Sequence, residues 1–330
     1  MLRVATIGTS WITRQFASDA AGVGGITLVC AYSRDAVRAA AFAAEVGAAS
    51  SSDDLAAMLA SPEVDAVYVA SPNSAHHEQA LAAIEAGKHV LVEKPATLGA
   101  AEFQALSDAA TASGVVLLEG MRTAYDPGLA RVQGLLGELG VLRRASLRYC
   151  QRSSRYDQVL AGERVNIFDP ALGGGALNDI GYYCVSAMVA LFGEPRQVHA
   201  AQVTVPGGAD GAGTALALYP GLVVDLGWSK ITASSLASEI EGERGFLTID
   251  RIHSPRVLRL TRLDGSTELH EVPGPEFTLA YGIQRFVDLC RDRGDASADH
   301  ARTLGALHVL ESIRTAATVG TVPDSVHDQA

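Results

Sequence analysis

The chain has 330 residues, 48% of them hydrophobic, and a formal net charge of -11. That length suits two domains with sizeable cores, and the acidic balance excludes a nucleic-acid partner, whose phosphates demand a basic surface. Cys30, Cys150, Cys184 and Cys290 show neither metal-ligand spacing nor a disulfide framework, and no leader or bilayer-length apolar run is read, so the expectation is a metal-free, reduced, cytoplasmic protein without membrane contact.

Residues 2–7 form a β-prone run, Gly8-Thr9-Ser10-Trp11-Ile12-Thr13 a turn, and 14–21 a helix. A dinucleotide-binding turn wants glycine first, then small residues where the backbone nears a pyrophosphate and where the helix meets the strand. Gly8, Ser10 and Thr13 occupy those places with a single glycine, and an ordinary strand–helix connection explains them about as well. Either way, the helix N-terminus can hold an anion through its free N–H groups. A strand over 26–32 then ends in Ser33 and Arg34, a hydroxyl and a cation suited to the 2′-phosphate of NADP. Asp35, displaced by one residue, keeps the ribose hydroxyl of NAD open as the alternative.

The pattern repeats with a helix over 53–60, a strand over 64–70, the loop Ser71-Pro72-Asn73-Ser74-Ala75-His76, and a helix over 76–86 ending at Gly87. His76 is read as shaping that loop or capping its helix. Next comes Val90-Leu91-Val92-Glu93-Lys94-Pro95, an apolar run ending in an acid, a base and a proline. Proline disfavours helical geometry at the preceding residue, so the strand stops and the amine turns out where open α/β sheets bind ligands. Lys94 is the first catalytic candidate, against the plain reading of an exposed lysine at a strand end. A helix over 100–112, stopped at Gly114, and a strand over 115–119 complete a parallel sheet with right-handed crossovers.

In the second half, Arg122, Arg155 and Asn166 are polar residues for a cleft or simply exposed ones. Gly173-Gly174-Gly175 reads as a hinge or close approach, with a phosphate loop as the competitor. Strands are predicted over 142–149, 196–205, 214–219, 223–228, 237–241, 246–249, 257–262 and 268–272. Helices follow over 281–290 and 303–317, the latter with Leu304, Leu307, Leu310 and Ile313 on one face, and a loosely ordered tail over 321–330.

The segments Gly8 to Ile12, Ser71-Pro72-Asn73 with His76, Glu93-Lys94-Pro95, and Gly173-Gly174-Gly175-Ala176-Leu177-Asn178-Asp179-Ile180-Gly181-Tyr182-Tyr183 together resemble the glucose–fructose oxidoreductase, inositol dehydrogenase and rhizopine catabolism (Gfo/Idh/MocA) family. The resemblance spans nearly the whole chain and keeps the family's order. It implies an α/β protein with a Rossmann domain over 1–121 and a substrate-binding α+β domain over 122–330, built on a large, mostly antiparallel open sheet. Its C-terminal helices are expected to pack back on the first domain. It implies reversible hydride transfer with NADP, preferred, or NAD, on a sugar, cyclitol or related polyol, in a homodimer or homotetramer formed through the open sheet. Cofactor contacts carry over to Gly8, Thr9, Ser10, Trp11, Ile12, Ser33, Arg34, Ser71, Pro72, Asn73, His76, Glu93, Lys94, Pro95 and Arg122, with a cis bond before Pro95. Substrate contacts carry over to Lys94, Asn166, Asp179 and Tyr183. Ser10 departs from the family's second glycine. Tyr183 stands where inositol dehydrogenase-like members carry histidine, and so resembles the tyrosine-bearing branch that includes dihydrodiol dehydrogenase.

Chemistry points to the same residues. Hydride exchange at a carbinol carbon requires a proton to leave or reach its oxygen. A phenol with a reference pKa of about 10 is a poor base unless an ammonium stabilises its anion. Tyr183 is therefore expected as general acid/base, Lys94 as its electrostatic partner and substrate-oxygen contact, and Asp179 as a hydroxyl acceptor one helical turn before Tyr183. Tyr182 is the neighbour most easily confused with it. The alternative is a non-catalytic NAD(P)-binding sensor, for which a proton-transfer pair would be superfluous.

Overall fold

The computed structural model describes residues 1–321, so the expectation for the tail lies, beyond residue 321, outside the described residues. The chain divides into two compact units, one comprising Met1–Tyr125 and Phe277–Leu304, the other Asp126–Glu276 and the residues from Gly305 onward. The stretch 277–304, which the sequence division places in the second domain, thus folds with the first.

In the first unit, β1 (Leu2–Ile7), β2 (Ile26–Tyr32), β3 (Ser50–Ser52), β4 (Ala66–Val69), β5 (His89–Val92) and β6 (Leu117–Glu119) form one sheet in the order β3-β2-β1-β4-β5-β6. Every pair is parallel. This is the doubly wound arrangement, whose strand order reverses between β1 and β4, and ligands bind outside the strand ends at that point. All four residues of β4 are buried, as expected for a strand with helices on both faces. The core stacks Phe16 on Tyr68 with ring centroids 3.9 Å apart, and Ile283 and Phe286 of the helix Ala280–Asp292 pack into the same cluster.

Two elements here escaped the sequence reading, the helix Ala36–Val46 and β3. Asp35 starts that helix by accepting the Arg38 N–H at 2.8 Å, and Gly47 ends it at φ 71°. The predicted helix over 53–60 begins at Leu55, because Asp54 is its cap.

The second unit holds β7 (Leu142–Cys150), β8 (Gln197–Thr204), β9 (Asp210–Tyr219), β10 (Leu222–Ser229), β11 (Ser238–Gly242), β12 (Gly245–Ile249), β13 (Val257–Arg262), β14 (Thr267–Glu271) and β15 (Ala317–Thr321). They form a mixed sheet in the order β14-β13-β12-β11-β7-β10-β9-β8-β15. The pairs β7–β10 and β8–β15 are parallel and the rest antiparallel. Residues 317–321 leave the helical pattern to pair with β8, in register from Ala317 opposite Ala200. The preceding helix, Ser297–Ala316, starts before the predicted residue 303, and β9 starts before the predicted residue 214.

One face of this sheet is covered by the helix Tyr182–Phe192, which lies against β7 and β10. The surrounding segment Pro170–Phe192 does have the length and composition to cross a membrane, contrary to the sequence expectation, but 72% of its most apolar window is buried in the protein. Its apolarity serves the core. Trp228 fills the space left by two glycines, since a Cβ on Gly181 or Gly213 would stand 3.0 or 2.3 Å from its ring. The opposite face exposes Leu216, Val223, Phe246 and Leu269, one on each of β9, β10, β12 and β14.

Candidate active site

The first unit gathers the sequence-predicted cofactor residues at the carboxyl ends of its strands. Gly8 follows β1 at φ 108°, and a Cβ there would stand 2.4 Å from the Ala70 carbonyl oxygen, so the turn admits only glycine. The Ala70 N–H donates to the Ile7 carbonyl at 2.8 Å and locks the two strand ends together. Ser10 is the N-cap of the helix Trp11–Val23 but makes no side-chain capping bond, which leaves first-turn N–H groups for a ligand. Thr13 is wholly buried where the helix meets the sheet. Thr9 and Ile12 are half-buried. The exposed Trp11 ring leans on Phe277 at 5.3 Å, and the buried Arg122 places its guanidinium 4.6 Å from the same ring. Sequence reasoning missed Phe277, which lies far from both Trp11 and Arg122 in the chain, with no local motif.

Ser33 and Arg34 extend beyond β2, Ser33 half-buried and Arg34 exposed. The Asp35 carboxylate caps its own helix, Oδ1 accepting the Arg38 N–H at 2.8 Å. His76 is buried, with Nδ1 2.9 Å from the Pro95 carbonyl and Nε2 2.9 Å from the Ser71 carbonyl. It ties the Ser71-Pro72-Asn73 loop to the Lys94-Pro95 turn and does not cap its helix, whose N-cap is Ala75. Burial pushes the imidazole below its ordinary pKa, against the pull of those two carbonyls.

Glu93 is buried beneath this turn and accepts the Tyr68 hydroxyl at 2.6 Å. Burial raises its pKa, with the Tyr68 bond and the neighbouring Lys94 charge opposing. The peptide bond between Lys94 and Pro95 is cis, and Lys94 is half-buried. The Ser71 Oγ is buried with no hydrogen-bond partner among the described residues. A glycine-only turn, an uncapped helix start and this orphaned hydroxyl, grouped at the strand-order reversal, fit a dinucleotide.

In the second unit the glycine triplet has three separate causes. Gly173 is left-handed at φ 71°, Gly174 passes so close to residues 166–169 that a Cβ would stand 2.7 Å from the Asp169 nitrogen, and Gly175 at φ 131° faces the Asp210 carboxylate. A carboxylate in that position overturns the phosphate-loop alternative. Asp210 accepts the Leu177 N–H at 2.7 Å and the Trp228 Nε1–H at 3.0 Å, and burial raises its pKa. It pins the start of a π-helical segment, Leu177–Gly181, which runs into the helix Tyr182–Phe192. Single π turns recur at functional sites.

Asp179, on that π turn, forms an ion pair with Lys230, a residue sequence reasoning missed. Tyr182 is wholly buried, whereas Tyr183 is 8% exposed. The Tyr183 ring stands edge-on to Tyr149 at 5.7 Å and to His253 at 6.2 Å, and those two rings stack at 3.9 Å. Asn166 and Arg155 are exposed.

Fold and site define a nicotinamide-dinucleotide oxidoreductase with an open-sheet second domain. Residues 2–121 match the oxidoreductase family with an NAD-binding Rossmann fold, and residues 135–248 match the GFO/IDH/MocA C-terminal domain. The chain belongs to the Gfo/Idh/MocA family of oxidoreductases. It is 40% identical over 316 residues to the scyllo-inositol 2-dehydrogenase (NADP(+)) of Bacillus subtilis, covering 95% of this chain and 96% of that one. It is 32% identical over 311 residues to dTDP-3,4-didehydro-2,6-dideoxy-alpha-D-glucose 3-reductase of Streptomyces violaceoruber, covering 88% and 87%. Among solved structures, a 3-ketoreductase from Actinomadura kijaniata in complex with NADP and TDP-benzene superposes with a TM-score of 0.87 at 24% identity, over 98% of this chain and 99% of that one, and so shares the fold.

Proposed function

We propose that the protein is an NADP-dependent dehydrogenase or reductase of a cyclitol, sugar or related polyol, with Tyr183 as general acid/base and Lys94 as its electrostatic partner. The observation that carries this reading is the contrast at 182 and 183: one tyrosine is sealed in the core, and the next is partly uncovered just beyond the acid of the π turn. A bound nicotinamide supplies the hydride acceptor or donor. Tyr183 takes a proton from, or returns it to, the substrate oxygen, and the Lys94 ammonium favours negative charge on that oxygen. Asp179 accepts a hydrogen bond from a neighbouring hydroxyl. The names of the Bacillus and Streptomyces relatives, one acting on a cyclitol with NADP and one on a deoxysugar nucleotide, support the substrate class.

Trp11, Arg122 and the loops at Ser33, Ser71 and Glu93 are assigned to the cofactor. Arg34, exposed just beyond β2, is assigned to its 2′-phosphate. Arg34→Ala is expected to weaken NADP about tenfold or more by calorimetric titration, the loss of a charge-assisted contact, while leaving NAD nearly unchanged. Equal weakening of both contradicts the assignment.

The exposed apolar residues of the second sheet are assigned to a contact between copies of this chain, giving a homodimer or homotetramer. Val223→Asp with Leu216→Glu is expected to shift the protein to monomers in analytical ultracentrifugation, and an unchanged mass distribution contradicts that surface.

A further inference from the structure

The last residue of β6 is an acid. Leu117 and Leu118 are wholly buried, as suits a parallel strand covered on both faces, but Glu119 after them is only 2% exposed and carries a carboxylate. Burying such a group costs free energy unless donors meet it. Oε1 accepts the Ala96 N–H at 3.0 Å, and Oε2 accepts the Thr303 hydroxyl at 3.1 Å. Ala96 is wholly buried and Thr303 is 2% exposed, so water does not stand in for the carboxylate at either donor.

Glu119 reaches Ala96 because it stands in register with Val92, the last residue of β5, from which the chain continues through Glu93, Lys94 and Pro95. The peptide group between Pro95 and Ala96 is thereby held at both ends. Its carbonyl lies 2.9 Å from Nδ1 of His76, at the start of the helix His76–Glu85, and its N–H is taken by Glu119 from β6. A planar peptide and a proline ring of fixed φ leave little play between this anchor and Lys94. Thr303 is itself braced. It lies on the helix Ser297–Ala316, whose first turns belong to the first unit, and one turn earlier His300 stands 2.8 Å from both the Ser107 hydroxyl and the Leu117 carbonyl.

We propose that Glu119 is a positioning residue for the Lys94 ammonium, acting through the Ala96 N–H, with Thr303 fixing the carboxylate from behind. The inference rests on the reading above, in which Lys94 meets the substrate oxygen, and deepens it by naming the group that sets where the amine sits.

The test compares Glu119→Leu, which removes both acceptors at similar size, with Glu119→Gln, which keeps an oxygen for the Ala96 N–H. Displacing a reacting group by about 1 Å can lower a rate about a hundredfold. On a polyol that wild type turns over, Glu119→Leu is expected to lower kcat about ten- to hundredfold, more than it changes KM, and Glu119→Gln is expected to recover most of that loss. A second readout needs no turnover. Lys88, Lys94 and Lys230 are the only lysines of the chain, so carbon-13 labelling of lysine side chains gives few NMR signals, and Lys94→Met identifies the one from Lys94. That signal should keep its wild-type position in Glu119→Gln and move in Glu119→Leu. If Glu119→Leu fails to fold, Thr303→Val takes its place and should move the signal in the same direction by less. An unmoved Lys94 signal in the folded variant, or equal falls in kcat for Glu119→Leu and Glu119→Gln, overturns the positioning role. A signal that moves as expected while Lys94→Met turns over as fast as wild type leaves the positioning role standing and contradicts the reading of Lys94.

Discussion

Tyr183→Phe is expected to lower kcat by about a hundred- to ten-thousandfold, the range for loss of a positioned general acid/base. The substitution removes one hydroxyl and keeps the ring that packs edge-on to Tyr149 and His253, so the helix and its neighbours have no reason to move. The loss should fall on kcat and kcat/KM together, since the proton is shared only in the transition state. NADP affinity and the melting temperature should match wild type. Tyr182→Phe provides the contrast, because its ring is wholly buried, and it should retain most of the rate. Steady-state kinetics on the two variants check this, and a Tyr183→Phe enzyme as fast as wild type contradicts the assigned role.

Gly8→Ala is expected to cost the first unit about 2–6 kcal/mol, combining roughly 1–3 kcal/mol for a strained backbone with roughly 1–3 kcal/mol for overpacking. The added methyl would meet the Ala70 carbonyl oxygen at 2.4 Å and its carbon at 2.8 Å, both backbone atoms of a segment bonded to β1. Neither can swing aside as a side chain would. Relief must come from the turn itself, which carries the helix N-terminus assigned to the pyrophosphate. Calorimetric melting should therefore show a lowered transition together with weakened NADP binding. Wild-type values for both would contradict the close approach described here.

Local chemistry explains which parts were legible from the chain. The bounds of β2, residues 26–32, could be read directly, because an apolar run ends in polar residues there. Lys94 stood out because proline stops its strand. The same rule, an amine just past a strand, applies to Lys230, yet β10 is followed by no proline to mark the stop, and its partner Asp179 is 51 residues away. Tyr149 and His253 likewise meet Tyr183 only through tertiary packing, since the helix that carries Tyr183 lies against β7 and His253 stacks on the Tyr149 ring of that strand. The helix Ala36–Val46 is signalled by Asp35 and Gly47, but a carboxylate just past β2 reads equally as a ribose ligand and as a cap. β15 has no signal of its own, since residues 317–321 become a strand only because β8 offers them an edge. The glycine triplet was recognised as special, although its reasons, a close backbone passage and the Asp210 carboxylate, are tertiary.

The most direct measurement is the absorbance of reduced nicotinamide when the protein and NADP+ are mixed with a panel of cyclitols, aldoses and linear polyols, with Tyr183→Phe run alongside. The expected result is growth of the band with at least one vicinal polyol, faster with NADP+ than with NAD+, and almost abolished in the variant. Tight NADP+ binding with a flat trace across the panel, or equal traces from wild type and variant, would contradict an enzyme built on Tyr183 and favour a dinucleotide sensor.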